Sequence, residues 1–75
     1  MGVIRLKLTD RMSMSIVVTI DTRKTIGELK EEICKRAGKS KEQILLVKCK
    51  RELVDAIDID TYELRDGECI EVEYR

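Results

Sequence analysis

Seventy-five residues that include fifteen basic and fifteen acidic side chains, no phenylalanine, no tryptophan and no histidine fit one domain, residues 1–75, with an aliphatic core. The cancelling charges give no global field to draw in nucleic acid or an anionic membrane. No apolar run is long enough to span a bilayer, and the first residues lead into alternation rather than a signal-peptide apolar region, so an intracellular chain is expected, cytoplasmic or nuclear.

Ile4, Leu6 and Leu8 alternate with Arg5 and Lys7, the period of a strand with one buried face. Residues 9–13 break the alternation as a turn. It resumes with Ile16, Val18 and Ile20 on one parity and Val17 and Thr19 on the other, so the two strands predict an antiparallel hairpin.

Residues 25–38 then carry a helix start, a helical apolar period and a helix stop. Thr25 followed by Glu28 has capping-box spacing, with the threonine hydroxyl taking one free amide and the glutamate reaching back to another. Ile26, Leu29, Ile33 and Ala37 form one apolar stripe, which leaves Lys30, Glu31, Lys35 and Arg36 to face water. Gly38 supplies the left-handed stop, and Lys35 and Arg36 sit in the last turn, where the helix dipole favours cations.

Residues 39–43 read as a polar connection. In the following run of four apolar residues only one parity can face the helix, so burial of Ile44 and Leu46 turns Leu45 and Val47 to solvent, a pair unexplained by folding. Lys50 and Arg51 turn the chain, and Glu52, Leu53 and Val54 form a short return strand. Residues 55–61 are too irregular for another full helix. Tyr62, Glu63 and Leu64 suggest a one-turn helix, followed by a tight turn with Gly67 at positive φ. Ile70, Val72 and Tyr74 alternate with Glu71 and Glu73 in a terminal strand. The sum is an α+β fold, a mixed sheet curled over one helix.

Candidate chemistry is sparse. Cys34, Cys49 and Cys69 are odd in number and contain no C-x-x-C pair, so each reads as a small buried or half-buried residue rather than part of a disulfide framework. Without histidine, a zinc site would need thiolates and carboxylates alone and a Cys-His nucleophile is excluded. Asp55, Asp58 and Asp60 lack the glycine and distal glutamate of a calcium loop, and no glycine-rich phosphate cradle exists; they read as turn-capping aspartates on a solvated loop. Lys7, Lys30, Lys35, Lys39, Lys41, Lys48 and Lys50 read as solvating lysines. The expectation is no catalysis and no cofactor or metal.

Thr25, Ile26, Leu29, Lys30 and Ile33 on the helix, its Gly38, the elements Leu53, Asp55 and Tyr62, and the terminal alternating strand together resemble ubiquitin, along the chain from Ile4 to Arg75 without a gap. The resemblance implies the ubiquitin-like β-grasp. Within that superfamily the chain is most similar to the small non-conjugated splicing modifiers of eukaryotes, through Asp10-Arg11, Thr25-Ile26-Gly27, Leu29-Lys30, Ile44/Leu46/Lys48, Tyr62-Glu63 with Asp66-Gly67, and an end at a tyrosine plus one residue. Two departures stand out. The acidic segment that this subfamily carries before the helix is Thr22-Arg23-Lys24 here, and the positions of ubiquitin's apolar patch hold Arg11, Val47, Glu71 and Glu73.

The resemblance implies a monomeric module or modifier that binds other proteins non-covalently in a regulatory assembly, with pre-mRNA splicing as the subfamily's assembly and the wider ubiquitin pathway as the superfamily's. Glu73-Tyr74-Arg75 offers no diglycine for conjugation. The alternatives are a covalent tag whose diglycine tail is missing, or an N-terminal ubiquitin-like domain of a larger protein. The expected contact face holds Leu45 and Val47, with Arg5 and Lys7 or Lys50 on one side and Glu71 and Glu73 on the other.

Overall fold

The computed structural model describes residues 2–11 and 15–74. Strands β1 (Val3–Thr9) and β2 (Ser15–Asp21) form the expected antiparallel hairpin, with Leu6 opposite Val18 and Ile4 opposite Ile20. Met12 and Ser13, in the turn expected between them, lie outside the described residues. Helix α1 (Ile26–Ala37) follows, then a 3-10 turn (Lys41–Gln43), β3 (Ile44–Lys48), β4 (Arg51–Glu52) and β5 (Cys69–Tyr74). The sheet order is β2-β1-β5-β3-β4, with β5 parallel to β1 and antiparallel to β3. This is the ubiquitin-like β-grasp, a mixed five-stranded sheet with one helix.

The inner parity of each strand meets the helix stripe. Leu6, Leu8, Val18, Ile20, Ile44, Leu46, Ile70 and Val72 pack with Ile26, Leu29 and Ile33 in one core that Leu53, Ile59 and Leu64 complete. At the helix start the Thr25 hydroxyl accepts the Glu28 amide at 3.2 Å. The Glu28 carboxylate lies 3.7 Å from Lys24 Nζ. Two more free amides are satisfied from outside the helix, Ile26 donating to the Ile57 carbonyl at 2.9 Å and Gly27 to that of Asp55 at 3.0 Å. Gly38 ends the helix at φ 69°, its amide bonded to the Cys34 carbonyl.

Lys30 corrects the helix reading. It is 3% exposed rather than facing water, and its Nζ sits 2.7 Å from Asp55 Oδ1. A long aliphatic stem allows this, because it packs at the edge of the core while the ammonium reaches a carboxylate that remains half in water. Asp55 is therefore the partner of a buried cation, not merely a turn cap. The capping reading suits Asp58, whose carboxylate accepts from the Thr61 hydroxyl.

Four local readings also change. The polar connection contains the 3-10 turn, closed by a capping box in which the Ser40 amide donates to Gln43 Oε1 at 3.0 Å. The β3–β4 turn falls on Cys49 and Lys50, both left-handed at φ 53° and 66°, so the return strand is Arg51–Glu52 rather than residues 52–54. That two-residue conformation usually announces itself with Asn-Gly or Asp-Gly, and this chain has neither there. Tyr62 and Glu63 lie in a turn that ends before Leu64 rather than in a helical turn, with Glu63 at φ 57° and the Tyr62 hydroxyl accepting the Val54 amide at 2.8 Å. The side-chain bond replaces the local helix as the device that holds this segment. Finally, Cys34 is half-buried, but Cys49 and Cys69 are exposed, one in the hairpin turn and one on the outer parity of β5.

Candidate functional site

The outer face of the sheet, opposite the helix, is decided by strand order and register. β3 lies between β5 and β4, with Leu45 opposite Glu73 and Val47 flanked by Glu71 on β5 and Glu52 on β4. Ile44 and Leu46 are buried, which turns Leu45 and Val47 outward as half-buried side chains. Together with Cys49, Lys50, Glu52, Glu71 and Glu73 they line a shallow depression of about 410 Å³.

Five of the seven expected residues are thus brought together: Leu45, Val47, Lys50, Glu71 and Glu73. Arg5 and Lys7 are not. They sit on β1, on the far side of β5, where Lys7 is opposite Cys69 and the Arg5 guanidinium lies 3.6 Å from Asp66. Sequence alternation assigns Arg5 and Lys7 to the correct face but cannot say that β5 inserts between β1 and β3. Cys49 and Glu52 were missed; a turn placed at residues 49 and 50 would have set Glu52 across from Val47. Arg11, at another position of the ubiquitin patch, lines a separate depression with Val72, Glu73 and Tyr74.

The remaining electrostatics belong to structural pairs. A larger groove between β2 and α1, about 470 Å³, is lined by Asp21, Glu28, Glu31 and Glu32. Each of these carboxylates has a cationic partner, respectively Arg23, Lys24, Lys41 and Lys35, at 3.0–3.7 Å. The Arg23 side chain and amide hold the Asp21 carboxyl down at about 2, and the Arg5 amide bond holds the Asp66 carboxyl below the usual range. Burial pushes the Cys34 thiol up, away from the thiolate that nucleophilic chemistry needs. The Tyr74 hydroxyl donates to Asp10 at 2.8 Å and is raised by that bond. Among the described residues no cluster of three or more candidate ligands is placed to hold a metal ion, and no helix is long and apolar enough to cross a membrane. What the outer face offers is contact area: an apolar pair with charged neighbours.

No family model matches the chain. Ubiquitin-like protein 5 of Drosophila melanogaster is 32% identical to it over 72 residues, covering 96% of this chain and 99% of that protein. Among solved structures, the C-terminal ubiquitin-like domain of human 2'-5'-oligoadenylate synthetase-like protein superposes with a TM-score of 0.93 at 20% identity, over 99% of this chain and 85% of that one. The ubiquitin-like domain of Plasmodium falciparum Dsk2 gives 0.92 at 18% identity, over 97% and 99% of the two chains. These two likenesses carry the fold alone. Joined to the near end-to-end similarity with the fly protein, the helix caps and the sheet order described above lead to one conclusion: this chain belongs to the ubiquitin-like family.

Proposed function

We propose that the protein is a non-enzymatic ubiquitin-like module that binds other proteins non-covalently through the outer face of β3 and β5. The observation that carries the reading is the outward pair Leu45 and Val47 beside Glu71 and Glu73. An apolar centre supplies affinity by leaving water, and the charged rim selects the partner. The assembly we assign to it is the splicing machinery, supported by the likeness of Asp10-Arg11, Thr25-Ile26-Gly27 and Tyr62-Glu63 with Asp66-Gly67 to the splicing modifiers.

Affinity capture from a nuclear extract tests the assembly: recovery of spliceosomal proteins is expected, and recovery of ubiquitin-pathway components without them would overturn that clause. The face is tested separately on a captured partner. Leu45→Ala with Val47→Ala should weaken binding by about 1–3 kcal/mol in calorimetry, the scale of interface anchors, while circular dichroism shows little change in unfolding. Unchanged affinity rejects the face as the contact site.

A further inference from the structure

We propose that Cys49 and Cys69 are a reactive thiol pair, a modification site for small disulfides of the glutathione type, which closes into a bridge between the β3–β4 turn and β5. The two cysteines are distant in sequence, and the sheet brings them to the same end of one strand pair. The antiparallel register of β3 and β5 sets Val47 opposite Glu71. Cys49 lies two residues beyond Val47 and Cys69 two residues before Glu71, so both stand past the same end of that ladder. Lys48 ties the two segments there: its Nζ donates to the Cys69 carbonyl at 3.3 Å and lies 3.5 Å from the Glu68 carboxylate.

Lys48 is the last residue of β3, and its extended backbone places the Cα of Cys49. The left-handed φ of 53° at Cys49 redirects only its side chain and the chain that follows. Cα atoms facing each other across an antiparallel pair are about 4.5–5.5 Å apart, and a disulfide spans about 4.4–6.8 Å. Cys49 lines the outer depression with Val47 and Glu71, Cys69 is on the outer parity of β5, and both thiols are free and exposed. The turn that carries Cys49 leads into an edge strand of two residues, a place where the chain adjusts to a bridge at small cost. Cys34 stands apart from the pair, half-buried on helix α1, with a thiol that burial pushes up.

The exchange balances without any further reagent. The Cys49 thiolate attacks one sulfur of the small disulfide, giving a mixed disulfide and expelling one glutathione thiolate. The Cys69 thiolate then attacks the Cys49 sulfur, the protein S–S bond forms and the second glutathione leaves. Two electrons and two protons pass from the protein thiols to the reagent, which ends as two thiols. Bridging residues 49 and 69 also restricts the unfolded chain, so the oxidised protein is the more stable form.

The test treats the reduced full chain with oxidised glutathione and reads intact mass, peptide map and thermal unfolding. A monomer lacking two hydrogens is expected, with residue 49 joined to residue 69, Cys34 still a thiol and a raised melting temperature. Cys49→Ser and Cys69→Ser should each abolish the bridge and leave glutathione on the remaining exposed cysteine. A separate reading of proximity uses dibromobimane, which fluoresces only after both of its arms have alkylated thiols. The reduced folded chain should light up at a rate independent of protein concentration, and neither serine variant should. Stable glutathione adducts on both cysteines of the unsubstituted chain, bridges to Cys34 or between two molecules, or a dark dibromobimane reaction would overturn the pair.

Discussion

Lys30 and Asp55 show how one ion pair weighs differently at its two ends. The lysine is 3% exposed and the Asp55 side chain is half in water. Lys30→Met keeps the packed stem and leaves a carboxylate that solvent can hydrate, so the cost should stay below about 1 kcal/mol. Asp55→Ala strands an ammonium in the interior and should cost about 2–3 kcal/mol, below the full buried-pair range because water screens the aspartate. Urea midpoints of the two variants at unchanged m-value measure the difference; equal losses would mean that the ammonium finds another partner. Asp21 carries a pH signature. Its carboxyl titrates near 2 when folded, against about 3.9 in an unfolded chain. Its contribution is therefore fully present above about pH 4 and lost as pH falls through 2. Asp21→Asn should flatten the fall in urea midpoint across that window, with Asp66, also lowered, supplying part of what remains.

At the scale of elements, the helix is stopped by a conformation that only glycine adopts without strain. A Cβ built on Gly38 meets nothing within 4 Å, so Gly38→Ala isolates the backbone cost of φ 69°, about 1 kcal/mol. For a chain of this size that corresponds to a fall in melting temperature of about 4–8 °C, readable by circular dichroism. The start of the helix is stapled differently, by carbonyls of Asp55 and Ile57. Loop 55–60 also returns two amides to the segment before the helix, Ile59 to the Lys24 carbonyl and Asp60 to that of Thr22, both at 2.9 Å. An irregular sequence thus becomes an ordered brace, since its backbone groups bond to another element instead of to one another.

For the molecule as a whole, two adjacent leucines distinguish the core from the outer face of the sheet. Leu46 is fully buried between helix and sheet, and Leu46→Ala should cost about 2–5 kcal/mol. Domains of this length are stable by only about 4–11 kcal/mol, so that single change removes a large share of the total. Leu45→Ala, one residue away on the other face, should cost less than about 1 kcal/mol. Guanidinium unfolding of both variants checks the parity of β3, and with it the existence of an outward apolar pair. A larger loss at residue 45 than at 46 would invert the sheet.

Much of this architecture was legible because it is written in short-range chemistry. The alternation of Leu6 with Leu8, Val18 with Ile20 and Ile70 with Val72 determines which face of each strand is buried, and Thr25 and Gly38 bound the helix through contacts within one turn. In residues 44–47, four apolar residues in a row, strand parity requires that one pair face outward, and burial of Ile44 and Leu46 makes that pair Leu45 and Val47. Strand order is a different kind of information. Whether β5 lies between β1 and β3 depends on pairings across the length of the chain, and that order separates Arg5 and Lys7 from Leu45 and Val47 by the width of β5 and sets Glu71 and Glu73 directly beside the apolar pair. The Tyr62 bond to Val54 and the burial of Lys30 were likewise decided by tertiary structure, because each is held by a partner that no local pattern names, and the left-handed turn at Cys49 and Lys50 carries none of the residues that usually mark one.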